Sequence, residues 1–121
     1  LAKLANHPRF DILLVRYNAA HRGAEKDIFP YLPSQKPGVI GFTATDYMKL
    51  SRSRKIPKNE QRPSAGDCYR FVLSNPNIDM TVTSPWTRTQ MRENLKETNK
   101  GLMSEEEMEW MRRIGDKVYG R

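Results

Sequence analysis

Three short apolar runs, residues 10–15, 39–42 and 78–82, each stop at small or polar residues and are each followed by a helical pattern. Strand then helix, repeated, marks parallel α/β units, because parallel strands need long crossovers and cannot be joined by tight hairpins. In folds of this kind chemistry gathers at the carboxyl ends of the strands. Function is therefore to be sought in the residues just after each run: Arg16-Tyr17-Asn18, Thr43-Ala44-Thr45 and Thr83-Ser84.

The spacing of apolar residues places the elements. Residues 1–8 read as the end of a helix, with Leu1, Leu4 and Ala5 on one face and Pro8 barring continuation. The strands are expected over 10–18, 39–43 and 77–83. The first is continuously apolar inside, as for a strand covered on both faces. A short helix is expected over 23–32 and a polar loop over 46–62. A helix of about ten residues should start at Pro63-Ser64 and stop at Asn75-Pro76. A further helix over 87–98 would turn Met91 and Leu95 inward, with Gly101 after its end. Ser104 and Glu107 form a capping box for a last helix, whose apolar stripe is Met108, Met111, Gly115 and Val118. Trp86 and Trp110 read as packing residues. The three βα units are fewer than the eight of a closed barrel, and an open three-strand sheet leaves unpaired edges. With Leu1 rather than methionine first, the expectation is an incomplete structural unit.

Composition narrows the class. The 121 residues suit one domain, and 37% hydrophobic with 29% charged content fits a globular chain, not a disordered one. No apolar stretch approaches the roughly 20 residues of a membrane span, and the first residues carry no signal-peptide core. The lone Cys68 excludes an internal disulfide and suits a reducing compartment, so a cytoplasmic location is expected. The net charge of +7 favours anionic partners without choosing among them.

Several residues are candidates for chemistry. Tyr17 and Asn18 close the first strand, where they either cap a turn or hold a ligand. His21 has no second His or Cys near it and reads as a hydrogen-bonding loop residue, not a metal ligand. Lys49, Arg52, Arg54, Lys55, Lys58 and Arg62 crowd one segment. They are a solvated face, a phosphate-holding loop or a nucleic-acid surface; no aromatic residue interleaves them, which disfavours the last. Ser84, Thr87, Arg88 and Gln90 flank a helix N-terminus, whose free N–H groups favour anions, although Thr87 also reads as an ordinary cap. There is no GxGxxG, Walker loop, CxxC or HExxH.

Taken in order, the pieces resemble the C-terminal half of an aldo/keto reductase over nearly all of the chain. FDILLVRYNAAHRGAE is similar to the sixth strand of that family and its loop, and GVIGFTAT to the seventh strand. NIDMTVTSPWTRTQMRENL, with residues 104–120 behind it, is similar to the eighth strand, its helix and the closing helix. The resemblance implies a partial (β/α)8 barrel of about three parallel βα units plus a C-terminal helix, spanning residues 1–121 as one domain. It implies an NADP(H)-dependent oxidoreductase acting on a carbonyl/alcohol pair. By position it implies a cofactor surface of Tyr17, Asn18, Phe42, Thr43, Thr45, Ser84, Thr87, Arg88, Gln90 and Asn94. Phe42 would stack on the nicotinamide, Thr43 and Thr45 would lie near the pyrophosphate, and Arg88 would meet a 2′-phosphate. Where the family often carries a glutamine for the carboxamide, this chain has Leu14. The family's catalytic Tyr, Asp, Lys and His belong to the other half of the barrel, so the chain by itself is expected to be inactive. The partners implied are the nicotinamide cofactor and a small carbonyl substrate, with no membrane and no nucleic acid. The other reading is a non-catalytic half-barrel module that self-associates through its sheet edges.

Overall fold

A computed structural model describes residues 1–121. Three parallel strands form one open sheet in the order β1 (Ile12–Arg16), β2 (Gly38–Phe42), β3 (Met80–Thr81). β1 and β2 pair from Ile12 opposite Gly38 to Arg16 opposite Phe42, and β3 is short, with Ile40 opposite Met80 and Gly41 opposite Thr81. The crossover from β1 to β2 carries α2 (Ala24–Asp27) and a 3₁₀ turn at Phe29–Tyr31. The crossover from β2 to β3 carries α3 (Lys49–Arg52) and α4 (Ala65–Leu73); α5 (Arg88–Thr98) and α6 (Glu105–Tyr119) follow β3, and α1 (Ala2–Ala5) precedes β1. No helix is long and apolar enough to cross a membrane. The mixed α/β class and the parallel βα order agree with the sequence pattern. The strands are shorter than expected: Tyr17 and Asn18 lie beyond β1, and β3 keeps two residues of the predicted seven.

Helix starts follow their side chains. Ser64 and Asp67 form a reciprocal capping box at α4, as do Ser104 and Glu107 at α6. The Thr87 hydroxyl accepts from the Gln90 amide at α5. Gly101, with φ 83°, turns the chain from α5 toward α6 in the left-handed region that glycine enters without steric cost. Arg70, buried on α4, fastens that turn by donating to the carbonyls of Gly101 and Leu102 and to both carboxylate oxygens of Glu107.

The core lies on one face of the sheet. Val15, Val39 and Gly41 point into it and meet Cys68, Phe71 and Val72 of α4, with Met111, Ile114 and Val118 of α6 completing the cluster. Fully burying each of these large apolar side chains contributes about 1.5–3 kcal/mol. The opposite face is bare. Leu14 is 68% exposed and Met80 60%, and Ile12 and Val82 are open beside them. The expectation of a strand covered on both faces is thus met on one side only, because no helix of the chain crosses to the other. α5 also differs. Met91 and Leu95 face outward and the polar Asn94 is the residue buried, since α5 meets α4 through its Asn94 and Glu97 side.

α6 reaches the loop after β1 through a backbone approach. A Cβ on Gly115 would lie 2.0 Å from the Ala19 carbonyl oxygen and 2.2 Å from its carbon. Gly115→Ala should therefore force the helix away from the loop and cost at least about 1–3 kcal/mol, the usual penalty of overpacking. Urea denaturation reads this, with the exposed Arg113→Ala as control; equal midpoints for both variants would overturn the close-approach argument.

Candidate functional site

The carboxyl end of the sheet is organised by a buried carboxamide. Asn18 is fully buried, and its Oδ1 accepts from the Ala20 and His21 amides at 2.9 and 2.8 Å. Its Nδ2 donates to the Thr43 carbonyl at 2.8 Å, which joins the loop after β1 to the loop after β2. Thr43 sits at φ 59°, and Asp46, Tyr47 and Met48 follow at φ 47°, 55° and 65°. Four non-glycine residues in the left-handed region within six positions store backbone strain of order 1–3 kcal/mol each. Surrounding bonds must hold them, and Asn18 supplies one.

That loop aims a buried carboxylate at two bases. Asp46 is 2% exposed; its Oδ1 accepts from Arg16 Nη2 at 3.2 Å and lies 3.5 Å from His21 Nε2. The His21 ring also stands edge-on to Tyr119 with centroids 5.3 Å apart. Burial lowers the His21 pKa, the Arg16 charge lowers it further, and Asp46 opposes both without reversing the outcome. The imidazole is therefore neutral near pH 7.

Tyr17, one position before the carboxamide, turns inward. Its hydroxyl donates to Glu25 Oε1 at 2.6 Å and accepts from Asn75 Nδ2 at 3.1 Å. Its ring lies between Phe29, edge-on at 5.5 Å, and Phe71, stacked at 5.8 Å. Arg112 of α6 grips the same Glu25 with two bonds, at 2.6 and 3.1 Å. Burial pushes the Tyr17 hydroxyl far above its ordinary value, so it stays protonated. Tyr17 and Asn18 thus position loops from within the core and offer no surface to a ligand.

The other eight positions named from the sequence lie at the carboxyl ends of β2 and β3. Phe42 ends β2, half-buried, across the register from Arg16. The Thr43 hydroxyl donates to the Phe42 carbonyl, and the Thr45 hydroxyl accepts from the Met48 amide. Near β3, Gln90 Oε1 accepts from the Trp86 amide, and Asn94 Nδ2 donates to the Thr83 hydroxyl at 3.2 Å. Ser84 is exposed, and the Arg88 guanidinium has no carboxylate or hydrogen-bond partner in the chain. Trp86 is 93% exposed, so it is a surface residue and not the packing residue expected; Trp110 packs on the core and donates to the Gln61 carbonyl.

The basic segment is partly a scaffold. Arg62 donates to the carbonyls of Ser51, Ser53 and Ile56, and Lys55 to that of Val118. Lys117 pairs with Glu60. Lys49, Arg52, Arg54 and Lys58 stay exposed and without carboxylate partners. Sequence reasoning missed Asp46, read there as the start of a polar loop. Its only signal was a single acid directly after a strand end and ahead of a run of cations.

Burial pushes the Glu25 carboxyl up, but bonds from Arg112 and Tyr17 and the Arg112 charge outweigh it, and the net shift is downward. Below the ordinary carboxylate range of about 4.3, the unfolded chain takes up a proton that the native Glu25 resists. Stability is then lost as pH falls through the lowered value. Glu25→Gln should unfold more easily than the unaltered chain at pH 7, and the gap should narrow toward pH 3. Denaturant midpoints across that range measure it; a gap that stays constant would show that Glu25 is not the linked group.

No protein-family model matches the chain, and no curated protein matches it.

Proposed function

We propose that the chain is the cofactor-side portion of a (β/α)8-barrel oxidoreductase of the aldo/keto reductase type, acting with NADP(H) on a carbonyl/alcohol pair. The observation that carries this reading is the one-sided cover of a parallel sheet. Helices pack on one face, both edges are unpaired, and the other face is apolar and bare. This one-sided cover supports the reading of a barrel wall, whose bare face would turn toward the barrel interior.

The residues at the carboxyl end suit a dinucleotide. Phe42 offers an aromatic wall on the inner face, beside Arg16. At the start of α5 the amides of Arg88 and Thr89 have no acceptor in the chain, and the side chain of Arg88, the first residue of the helix, is unpaired. Free helix N–H groups plus a guanidinium are the donors a 2′-phosphate needs. Thr43 and Thr45 hold the left-handed loop that would face the pyrophosphate, and the cations Lys49 and Arg52 lie just beyond it. Leu14, exposed on the same face, gives the carboxamide no hydrogen bond. The bound nicotinamide would supply the hydride; these residues would bind and orient it and shield it from water.

Binding of NADPH, followed by nicotinamide fluorescence, tests the reading on this chain. NADPH should bind more tightly than NADH, and Arg88→Ala should weaken NADPH alone, by up to about 1.5–3 kcal/mol for a lost charged contact. No binding of either nucleotide at millimolar concentration would remove the cofactor assignment. Turnover by the chain alone is not expected, since its one tyrosine at a strand end, Tyr17, is buried and engaged with Glu25.

A second reading rests on the free edges of β1 and β3, which carry the exposed Leu14 and Met80: a non-catalytic module that self-associates through them. Sedimentation velocity should then show assembly that grows with concentration and weakens in Leu14→Lys. A monomer at all concentrations would leave only the first reading.

A further inference from the structure

A pocket of about 460 Å³ opens at the carboxyl end of β1, floored by Leu14, Val15 and Phe42 and rimmed by Arg16, His21 and Tyr119. Two of its polar groups are fixed yet keep free valences. Arg16 uses one guanidinium nitrogen on Asp46, its side chain is half exposed, and its Nε and Nη1 hydrogens have no acceptor. His21 turns Nε2 toward the same Asp46 oxygen, and no group of the chain donates to its Nδ1. One buried carboxylate thus sets a guanidinium and an imidazole side by side, at 3.2 and 3.5 Å from a single oxygen.

The charges around the imidazole select the ligand. Arg16 from β1, Lys49 from α3 and Arg121 from beyond α6 face it, against Asp46 alone. Asp116 is engaged by Arg22 and Arg121, and Asp27 lies on the far rim. Arg22 is largely buried, and its guanidinium bonds to the Ala19 and Arg112 carbonyls as well as to Asp116. Arg121 donates to the Ala20 carbonyl and lies over Tyr119. Arg16 is thus the guanidinium with an open edge. A planar fork of two N–H groups matches the two oxygens of a carboxylate. The neutral imidazole, with its Nε2 proton toward Asp46, presents a lone pair at Nδ1 that accepts from a hydroxyl.

We propose that this pocket binds a small 2-hydroxy carboxylate, with the carboxylate on Arg16, the hydroxyl on His21 Nδ1 and the apolar substituent on Leu14. The assignment rests on the oxidoreductase reading, for which it names the substrate class: the alcohol partner of a 2-oxo acid. Arg16 and Phe42 are register neighbours on adjacent strands, about 4.8 Å apart. The carboxylate would therefore lie beside the aromatic wall assigned to the nicotinamide.

The test needs no variant for its first arm. The unaltered chain is titrated with mandelate, with phenylacetate, which lacks the hydroxyl, and with benzyl alcohol, which lacks the carboxylate. The His21 ring and Arg16 Nε signals are followed by NMR. Mandelate should bind at least fivefold more tightly than phenylacetate, and benzyl alcohol should leave Arg16 unmoved. His21→Gln should remove the advantage of mandelate while phenylacetate affinity stays the same. Arg16→Lys, which keeps the charge but loses the fork, should weaken both acids about tenfold. Equal affinity for the two acids, or signals of His21 and Arg16 that do not move, would overturn the proposal. NADP⁺ is titrated separately. Nucleotide binding without mandelate binding removes the substrate class and keeps the oxidoreductase reading; mandelate binding without nucleotide binding does the reverse.

Discussion

The carboxyl end of the sheet depends on one buried side chain, the carboxamide of Asn18. Its oxygen takes two amides of its own loop and its nitrogen takes a carbonyl of the next. No other residue of similar size offers both a donor and an acceptor in that arrangement. The carbonyl it takes belongs to Thr43, where the backbone enters the left-handed region, and the strained run from Asp46 to Met48 follows. Strain of that kind persists only where surrounding contacts over-determine it. Asn18 therefore fixes where Asp46 lies, and Asp46 in turn fixes Arg16 and His21.

A second layer of polar contacts closes the C-terminal helix over this arrangement. Glu25 receives Tyr17 from below and Arg112 from above, and Asn75 completes the Tyr17 hydroxyl. Each buried polar atom in the set has a partner, the condition under which such a network stabilises a unique arrangement instead of weakening it. Gly115 lets α6 come near enough for Arg112 to reach, because a larger residue would meet the Ala19 carbonyl first. The packing of the last helix and the geometry of the first loop are thus one constraint.

Much of this was legible in the sequence, and the remainder failed for identifiable reasons. The parallel βα order, the capping box at Ser104 and Glu107, the cap at Thr87 and the turn at Gly101 are local signals and appear where they were read. Tyr17 and Asn18 stand out in the sequence, but not which way they face, since alternation ceases to inform once a strand has ended. α5 departs from its sequence pattern because Met91 and Leu95 carry the apolar signal while the helix packs through Asn94 and Glu97. Trp86 reads as a packing residue in the sequence, and nothing local to it signals that the chain leaves it on the surface. Asp46 was hidden because a buried acid and a loop acid look alike until the backbone that carries it is known. The cations from Lys49 to Arg62 look uniform in the sequence, yet Arg62 laces three carbonyls and Lys55 reaches that of Val118, while Lys49, Arg52, Arg54 and Lys58 stay exposed.

The two open edges of the sheet differ in kind: one belongs to β1 and the other to β3, with both strands running the same way. A contact that continues the parallel sheet must set the β1 edge of one molecule against the β3 edge of the next. Such a joint is head-to-tail, and it cannot be satisfied by a simple face-to-face pair using one patch twice. Each added molecule leaves one β1 edge and one β3 edge free. The outcome then rests on curvature alone: a strongly coiled sheet returns to its own start and closes as a ring of fixed number, and a flat one grows into an endless fibre.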